Sequence, residues 1–184
     1  MGKVVGGMTI SLDGFVNDAN GKVGALYPDL GDLGQTDMLQ ESIRMTGAVV
    51  MGRHTNDMAN GDFTGYEYQV PIFVVTHDAP LTVAKGENGT FKFNFVLDGI
   101  DSAVQQAKAA AGNKNVTLVG GANIMQYCLK AGLLDELEIG IMPIILGKGL
   151  RLFDDLSTQQ IHLEKIDLIE SAGGRTDIFF RVVK

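Results

Sequence analysis

The segment Val49-Val50-Met51-Gly52-Arg53-His54-Thr55 releases a cation, an imidazole and a hydroxyl at the end of a short apolar run. If that run is a buried strand, the three groups emerge at its carboxyl end, where open α/β sheets bind ligands. Gly52 lets a phosphate approach the backbone, and Arg53 can grip it through paired N–H donors. The plainer alternative is a solvated loop in which Thr55 caps a short helix. A second segment, Val119-Gly120-Gly121-Ala122-Asn123, runs from strand into helix through two glycines. Free amides and the helix dipole make such a junction suited to a pyrophosphate, although close packing alone also uses Gly-Gly turns. It lacks the Gly-Lys-Ser/Thr ending of a phosphate-binding loop for ATP hydrolysis, and it is not G-x-G-x-x-G. In a third segment, Pro143 to Phe153, two glycines flank Lys148 and mark a tight loop; a turn before an edge segment accounts for most of it.

The elements that must hold these groups follow from periodicity. Lys3–Leu12 reads as a strand, with Val4, Val5, Met8 and Ile10 apolar. A Gly-, Asp- and Asn-rich loop from Asp13 to Gly34 follows, and a connection of that length is often functional. Gln35–Met45 has helical spacing with Thr36 as N-cap. Ala48–Met51, Pro71–Thr76 and Val116–Val119 are short, almost wholly apolar strands, the pattern of a sheet covered on both faces. Phe93–Leu97 is a further strand. Ile100–Ala111 is a helix with Gly112 past its end, and Ala122–Lys130 is a helix stopped at Gly132. Glu136–Leu146 is a strand interrupted by Pro143. Ile161–Ile169 and Thr176–Val183 flank Gly173-Gly174 as a β-hairpin. Strand–helix alternation that ends in an antiparallel pair predicts a single α/β domain over 1–184: a mainly parallel central sheet, helices on both faces and a C-terminal antiparallel hairpin.

Composition narrows the classes. The chain has 184 residues, 45% hydrophobic and 20% charged, a globular balance with enough length for one core. A net charge of −7 argues against general binding to nucleic acid or anionic membrane, yet leaves a small anionic ligand possible at a local donor cluster. No apolar run reaches bilayer length, and the start shows no signal peptide. Cys128 is the single cysteine, compatible with a reducing cytoplasm, and packs on an apolar helix face. His54, His77 and His162 lack metal-ligand spacing, so no metal site is expected.

Taken together, the motifs resemble one family. Met51-Gly52-Arg53-His54-Thr55 is similar to the strand-end motif that holds the adenosine half of NADPH in dihydrofolate reductases. Val119-Gly120-Gly121-Ala122 is similar to that superfamily's second glycine turn. Thr9-Ile10-Ser11-Leu12-Asp13-Gly14-Phe15, Leu133-Leu134-Asp135-Glu136-Leu137, and Pro143, Gly147, Gly149 and Phe153 resemble the branch that contains the C-terminal reductase domain of riboflavin biosynthesis proteins. The resemblance spans nearly the whole chain. It implies a dihydrofolate-reductase-like three-layer sandwich and an NADPH cofactor. Gly52, Arg53, His54 and Thr55, with Thr76 and His77, would meet the adenosine and its 2′-phosphate. Gly120, Gly121, Ala122 and Asn123 would receive the pyrophosphate, and Asp13 and Gly14 would lie near the nicotinamide or substrate. It also implies a homodimer.

Two departures bear on the substrate. Folate reductases carry an acid on the helix after the long loop; Asp37 and Glu41 lie on that helix here, with Asp37 near the expected place. An acid at a helix N-terminus is equally explained by the dipole. The arginine that grips the folate glutamate tail has no counterpart in Tyr66–Pro71, where Glu67 would repel a carboxylate, and only Lys22 and Arg44 could hold a ribose phosphate. The expectation is hydride transfer from NADPH to a C=N or C=O bond of a small heterocycle, as in dihydrofolate reductase or 5-amino-6-(5-phosphoribosylamino)uracil reductase, with Asp37 and Asp13 as catalytic candidates. The alternative is a non-catalytic nucleotide-binding or sensing protein that keeps the cofactor cradle. A conventional dinucleotide dehydrogenase is disfavoured by the missing N-terminal G-x-G-x-x-G.

Overall fold

Each short apolar run becomes a strand buried on two sides. The computed structural model describes residues 2–28, 30–58, 62–78, 85–86, 92–154, 156 and 160–184. In chain order the elements are β1 (Val4–Ser11), α1 (Leu30–Leu33), α2 (Asp37–Met45), β2 (Thr46–Gly52), α3 (Arg53–Met58), β3 (Asp62–Phe63), β4 (Ile72–Val75), β5 (Lys85–Gly86), β6 (Phe93–Val96), α4 (Ile100–Ala111), β7 (Asn115–Val119), α5 (Ala122–Lys130), β8 (Glu136–Met142), β9 (Leu163–Glu170) and β10 (Thr176–Val182). Eight strands form one sheet in the order β6-β4-β2-β7-β1-β8-β10-β9. The strands from β6 to β8 pair in parallel, and β10 and β9 close the edge antiparallel.

The two faces have different covers. Ala48, Val50, Val116 and Leu118 pack against Ala103, Val104 and Ala107 of α4 and against Ile124, Met125 and Cys128 of α5. Val49, Met51, Ile72 and Val74 point the other way, onto Leu39 and Ile43 of α2 and the rings of Phe63, Tyr66 and Tyr68. Burial of the Cys128 thiol pushes its pKa up to about 12, so it serves as a core group rather than a nucleophile.

Several boundaries differ from the periodicity reading, each for a local reason. β8 stops at Met142, because Pro143 has no N–H for the ladder. The long loop contains a 3-10 turn at Gly24–Leu26 and the single turn α1. The helix after β2 begins at Arg53, two residues before Thr55. Thr36 caps α2 as expected: its hydroxyl oxygen accepts from the Leu39 amide at 3.3 Å. α4 starts after Gly99 with no capping side chain, although acids stand at 98 and 101.

Candidate active site

The carboxyl ends of β1, β2, β4, β7 and β8 lie along one edge of the sheet, so the three segments that could do chemistry come together there. Gly120 and Gly121 both hold positive φ, +71° and +83°, the region that glycine enters without strain. They are packed against the other strand end. A Cβ on Gly120 would stand 2.6 Å from Thr55 Oγ1, and one on Gly121 would stand 3.9 Å from the Gly52 amide nitrogen. α5 begins at this turn, and no side chain caps it. Its first amides are therefore available to an anion, while the missing Cβ of Gly120 is what lets Thr55 pack against the turn. These features fit a nucleotide pyrophosphate.

Arg53 lies beside the turn. Its Nη1 donates to the Asp78 carbonyl at 2.9 Å and to Thr76 Oγ1 at 3.4 Å, which ties the start of α3 to the end of β4. Its Nε donates to Asp57 at 2.7 Å, so part of its charge is already neutralised. His54, His77 and Asn123 have exposed side chains, while Ala122 is buried. The structure thus sets Gly120 against Thr55 and Gly121 near Gly52, ties Arg53 to Thr76, and leaves the two histidines exposed.

At the end of β1 the chain is clamped to the loop after β8. The amides of Leu12 and Val16 donate to the carbonyls of Ile144 and Leu150, and the Leu152 amide donates to Gly14. The Asp13 carboxylate accepts from the amides of Leu146 at 3.1 Å and Gly147 at 2.7 Å. Ser11 and these two amides hold its pKa down to about 2. Asp13 is therefore a charged acceptor throughout the neutral range, a role that pins a loop and does not suit a proton donor. Asp13→Ala is expected to speed hydrogen exchange at the Leu146 and Gly147 amides by at least about tenfold, with α4 unchanged, as read by NMR.

Asp37 stands in the first turn of α2 and is exposed; the helix turns Met38, Leu39 and Ser42 toward the sheet instead. These three roof a cavity of about 160 Å³ whose floor is Val5, Gly7 and Thr9 of β1, Thr117 and Val119 of β7, and Glu138 and Gly140 of β8. Gly7 makes the room, since a Cβ there would meet nothing within 4 Å. Glu138, beside Gly7 in register, is the carboxylate in this floor. Removal from water and the nearby Asp177 carboxylate push its pKa up to about 7, against the pull of Arg175. Arg175 and Asp177 pair at 3.3 Å with side chains 1% and 4% exposed. Ser42 and Tyr68 share a hydrogen bond at 3.0 Å, and Thr46 and Thr117 share one at 2.7 Å.

The periodicity reading missed Glu138, Arg175 and Asp177. In the alternation of Glu136 to Leu146, Glu138 falls on the polar face, which a strand ordinarily shows to solvent. Here that face is roofed by α2. Among the described residues, no three His, Cys, Asp or Glu side chains gather into a metal-ligating cluster, and no helix is long and apolar enough to cross a membrane.

A mainly parallel sheet with an antiparallel C-terminal edge, helices on both faces and a glycine turn at the strand ends defines a dihydrofolate-reductase-like fold. Dihydrofolate reductase from Enterococcus faecalis, solved with NADP(H), superposes with a TM-score of 0.64 at 12% identity, over 99% of this chain and 97% of that one. The chain belongs to the RibD C-terminal domain family, whose profile matches residues 3–176. A protein of Shewanella sp. PV-4 assigned to riboflavin biosynthesis superposes with a TM-score of 0.81 at 24% identity, over 99% of both chains. The uncharacterized protein YyaP of Bacillus subtilis (strain 168) is 26% identical over 183 residues, 97% of this chain and 94% of its own.

Proposed function

We propose that this protein is an NADPH-dependent reductase that transfers hydride to a C=N or C=O bond of a small heterocyclic substrate, with Glu138 as the proton donor. The observation that carries the reading is the juxtaposition at Val119. This residue lines the Glu138 cavity and immediately precedes the Gly120-Gly121 turn, so a nucleotide seated on the turn adjoins a roofed polar cavity. Family membership and a relative solved with NADP(H) support the same reading. When bound, the reduced nicotinamide supplies the hydride.

The chain's own groups divide the remaining work. The Gly120-Gly121 turn and the start of α5 would hold the pyrophosphate, and Arg53 with Thr76 would meet the 2′-phosphate end. Met38, Leu39 and Tyr27 line the cavity and would limit water around a bound substrate. Glu138, its pKa pushed up to about 7, holds a proton into the neutral range and can release it to the substrate nitrogen or oxygen as the adjoining carbon is reduced. Arg175 and Asp177 set that balance from opposite sides. A C=N acceptor suits the cavity better than C=O, because a carboxylate also stabilises the protonated imine.

Titration of the purified protein with NADPH and with NADH, followed by cofactor fluorescence, tests the reading. The expected result is tighter binding of NADPH, weakened about tenfold or more by Arg53→Ala. Absence of binding by either cofactor at millimolar concentration overturns it. Binding without turnover across a panel of pterins, pyrimidinones and cyclic imines would favour the sensing alternative.

A further inference from the structure

The Glu138 cavity does not end at the inner wall. It adjoins a larger cavity of about 360 Å³ between α2 and the β9–β10 hairpin, and the two share Val5, Met38, Ser42, Thr117 and Glu138. Together they reach the size that holds drug-sized ligands, about 300–1,000 Å³. The outer part is walled by Met45, Ile166, Ile169, Phe179 and Phe180. Met45 and Ile166 remain 41% and 46% exposed, so the groove is an open apolar trough rather than core.

Its charges have one sign. Glu41, Glu136 and Asp167 line the outer cavity, and among the described residues no Lys, Arg or His does. Glu41 is paired with Arg44 and Glu136 with Lys3, each at 2.6 Å, and both cations lie outside the lining. In the inner cavity the one cation among the described residues is Arg175, paired with Asp177. A phosphate or carboxylate entering this groove would lose hydration and meet several carboxylates, with only neutral hydroxyl and amide donors in the outer part among the described residues.

We infer that the site takes a two-part substrate: a nitrogen-bearing, uncharged or cationic head at Glu138, and an uncharged apolar arm lying between Met45 and the Ile166–Ile169 side of the hairpin, with phosphorylated and carboxylated molecules excluded. Identifying the head as the hydride acceptor rests on the reductase reading; the arm and the charge preference do not. Apolar contact supplies affinity along the arm, and the acidic rim supplies selection by charge.

The test uses the full chain and Nile red, a neutral dye that fluoresces on leaving water, displaced by hexylamine or by hexanoate at pH 7. Nile red is expected to bind, and hexylamine to displace it at a concentration at least about tenfold lower than hexanoate, with that ratio reduced in Glu138→Gln. Ile169→Lys and, separately, Met45→Lys are expected to weaken Nile red about tenfold. Both positions are part-exposed, and circular dichroism reports their folding. NADPH titration of the same samples reports on the reductase reading alone, and is expected to be unchanged by either lysine. Equal competition by hexanoate, or unchanged dye affinity in both folded lysine variants, overturns the inference. So does dye binding that appears only on dilution of a dimer, which would make the groove a subunit contact. Dye binding with the expected charge preference but no NADPH binding keeps the arm and removes the reductase reading.

Discussion

Glu138→Gln is expected to lower NADPH-dependent turnover about 10²- to 10³-fold while leaving NADPH binding within about twofold, because glutamine keeps the shape of the cavity floor and cannot give up a proton. The pH profile carries the sharper signature. In the wild type, kcat/KM should be level below pH 7 and fall as pH rises through about 7, where Glu138 loses the proton it must donate. That falling limb should vanish in the variant. Asp37→Asn serves as the comparison, since Asp37 is exposed and outside the cavity lining, and should keep both rate and profile. Loss of activity in Asp37→Asn with retention in Glu138→Gln would reverse the assignment.

The same substitution should act on stability in the opposite direction. The folded protein raises the Glu138 pKa from 4.5 to about 7, so it favours the protonated form. The contribution of that proton is fully present below about pH 4.5 and is lost as pH rises through about 7, where the fold must house a charge. Glutamine avoids that cost. Glu138→Gln should therefore be more stable than the wild type at pH 8, by an amount on the order of 1–3 kcal/mol, with the difference disappearing at pH 4 to 5. Thermal unfolding at the two pH values measures it. Gain in stability with loss of turnover is the expected signature of a carboxyl kept for chemistry.

Gly120→Ala carries the second large effect. Alanine there must hold φ near +71° and place its Cβ 2.6 Å from Thr55 Oγ1 and 2.8 Å from its Cγ2. Strain of this kind costs about 1–3 kcal/mol, and the β-branched Thr55 has no free rotation with which to move aside. The turn would shift, the first amides of α5 would lose their alignment, and NADPH binding should weaken more than about tenfold. Thr55→Ala in the same chain removes the two shortest contacts, keeps the Cβ at 3.2 Å and leaves the positive φ, so the double variant should recover part of the stability and not all of it. Full recovery would show that contact alone demands glycine at this position; no recovery would show that backbone conformation does.

Several features were legible in the chain because they depend on neighbours only a few residues apart. Helical spacing set α4 and α5, and the Thr36 cap set the start of α2, whereas the strand expected to run on to Leu146 stops before Pro143. Uninterrupted apolar runs marked β2, β4 and β7 as strands covered on both faces, and two adjacent glycines marked the turn before α5. The parallel body and the antiparallel C-terminal edge were legible from strand–helix alternation and the terminal hairpin; the order of the strands was not.

What the chain could not declare was which polar face would be roofed. Glu138 alternates with Leu137 and Ile139 as a solvent-facing residue does, and Asp37 sits where a helix dipole attracts any acid. Only the packing of α2 across β7, β1 and β8, with an open strand position at Gly7, turns the first into a cavity group and leaves the second in water. Arg175 and Asp177 read as part of a hairpin near Gly174, and become a buried ion pair because Gly140 leaves space for them beside Thr9. Burial and pKa depend on what lies across space, so side-chain chemistry that local pattern assigns to the surface can be reversed by an element far away in sequence.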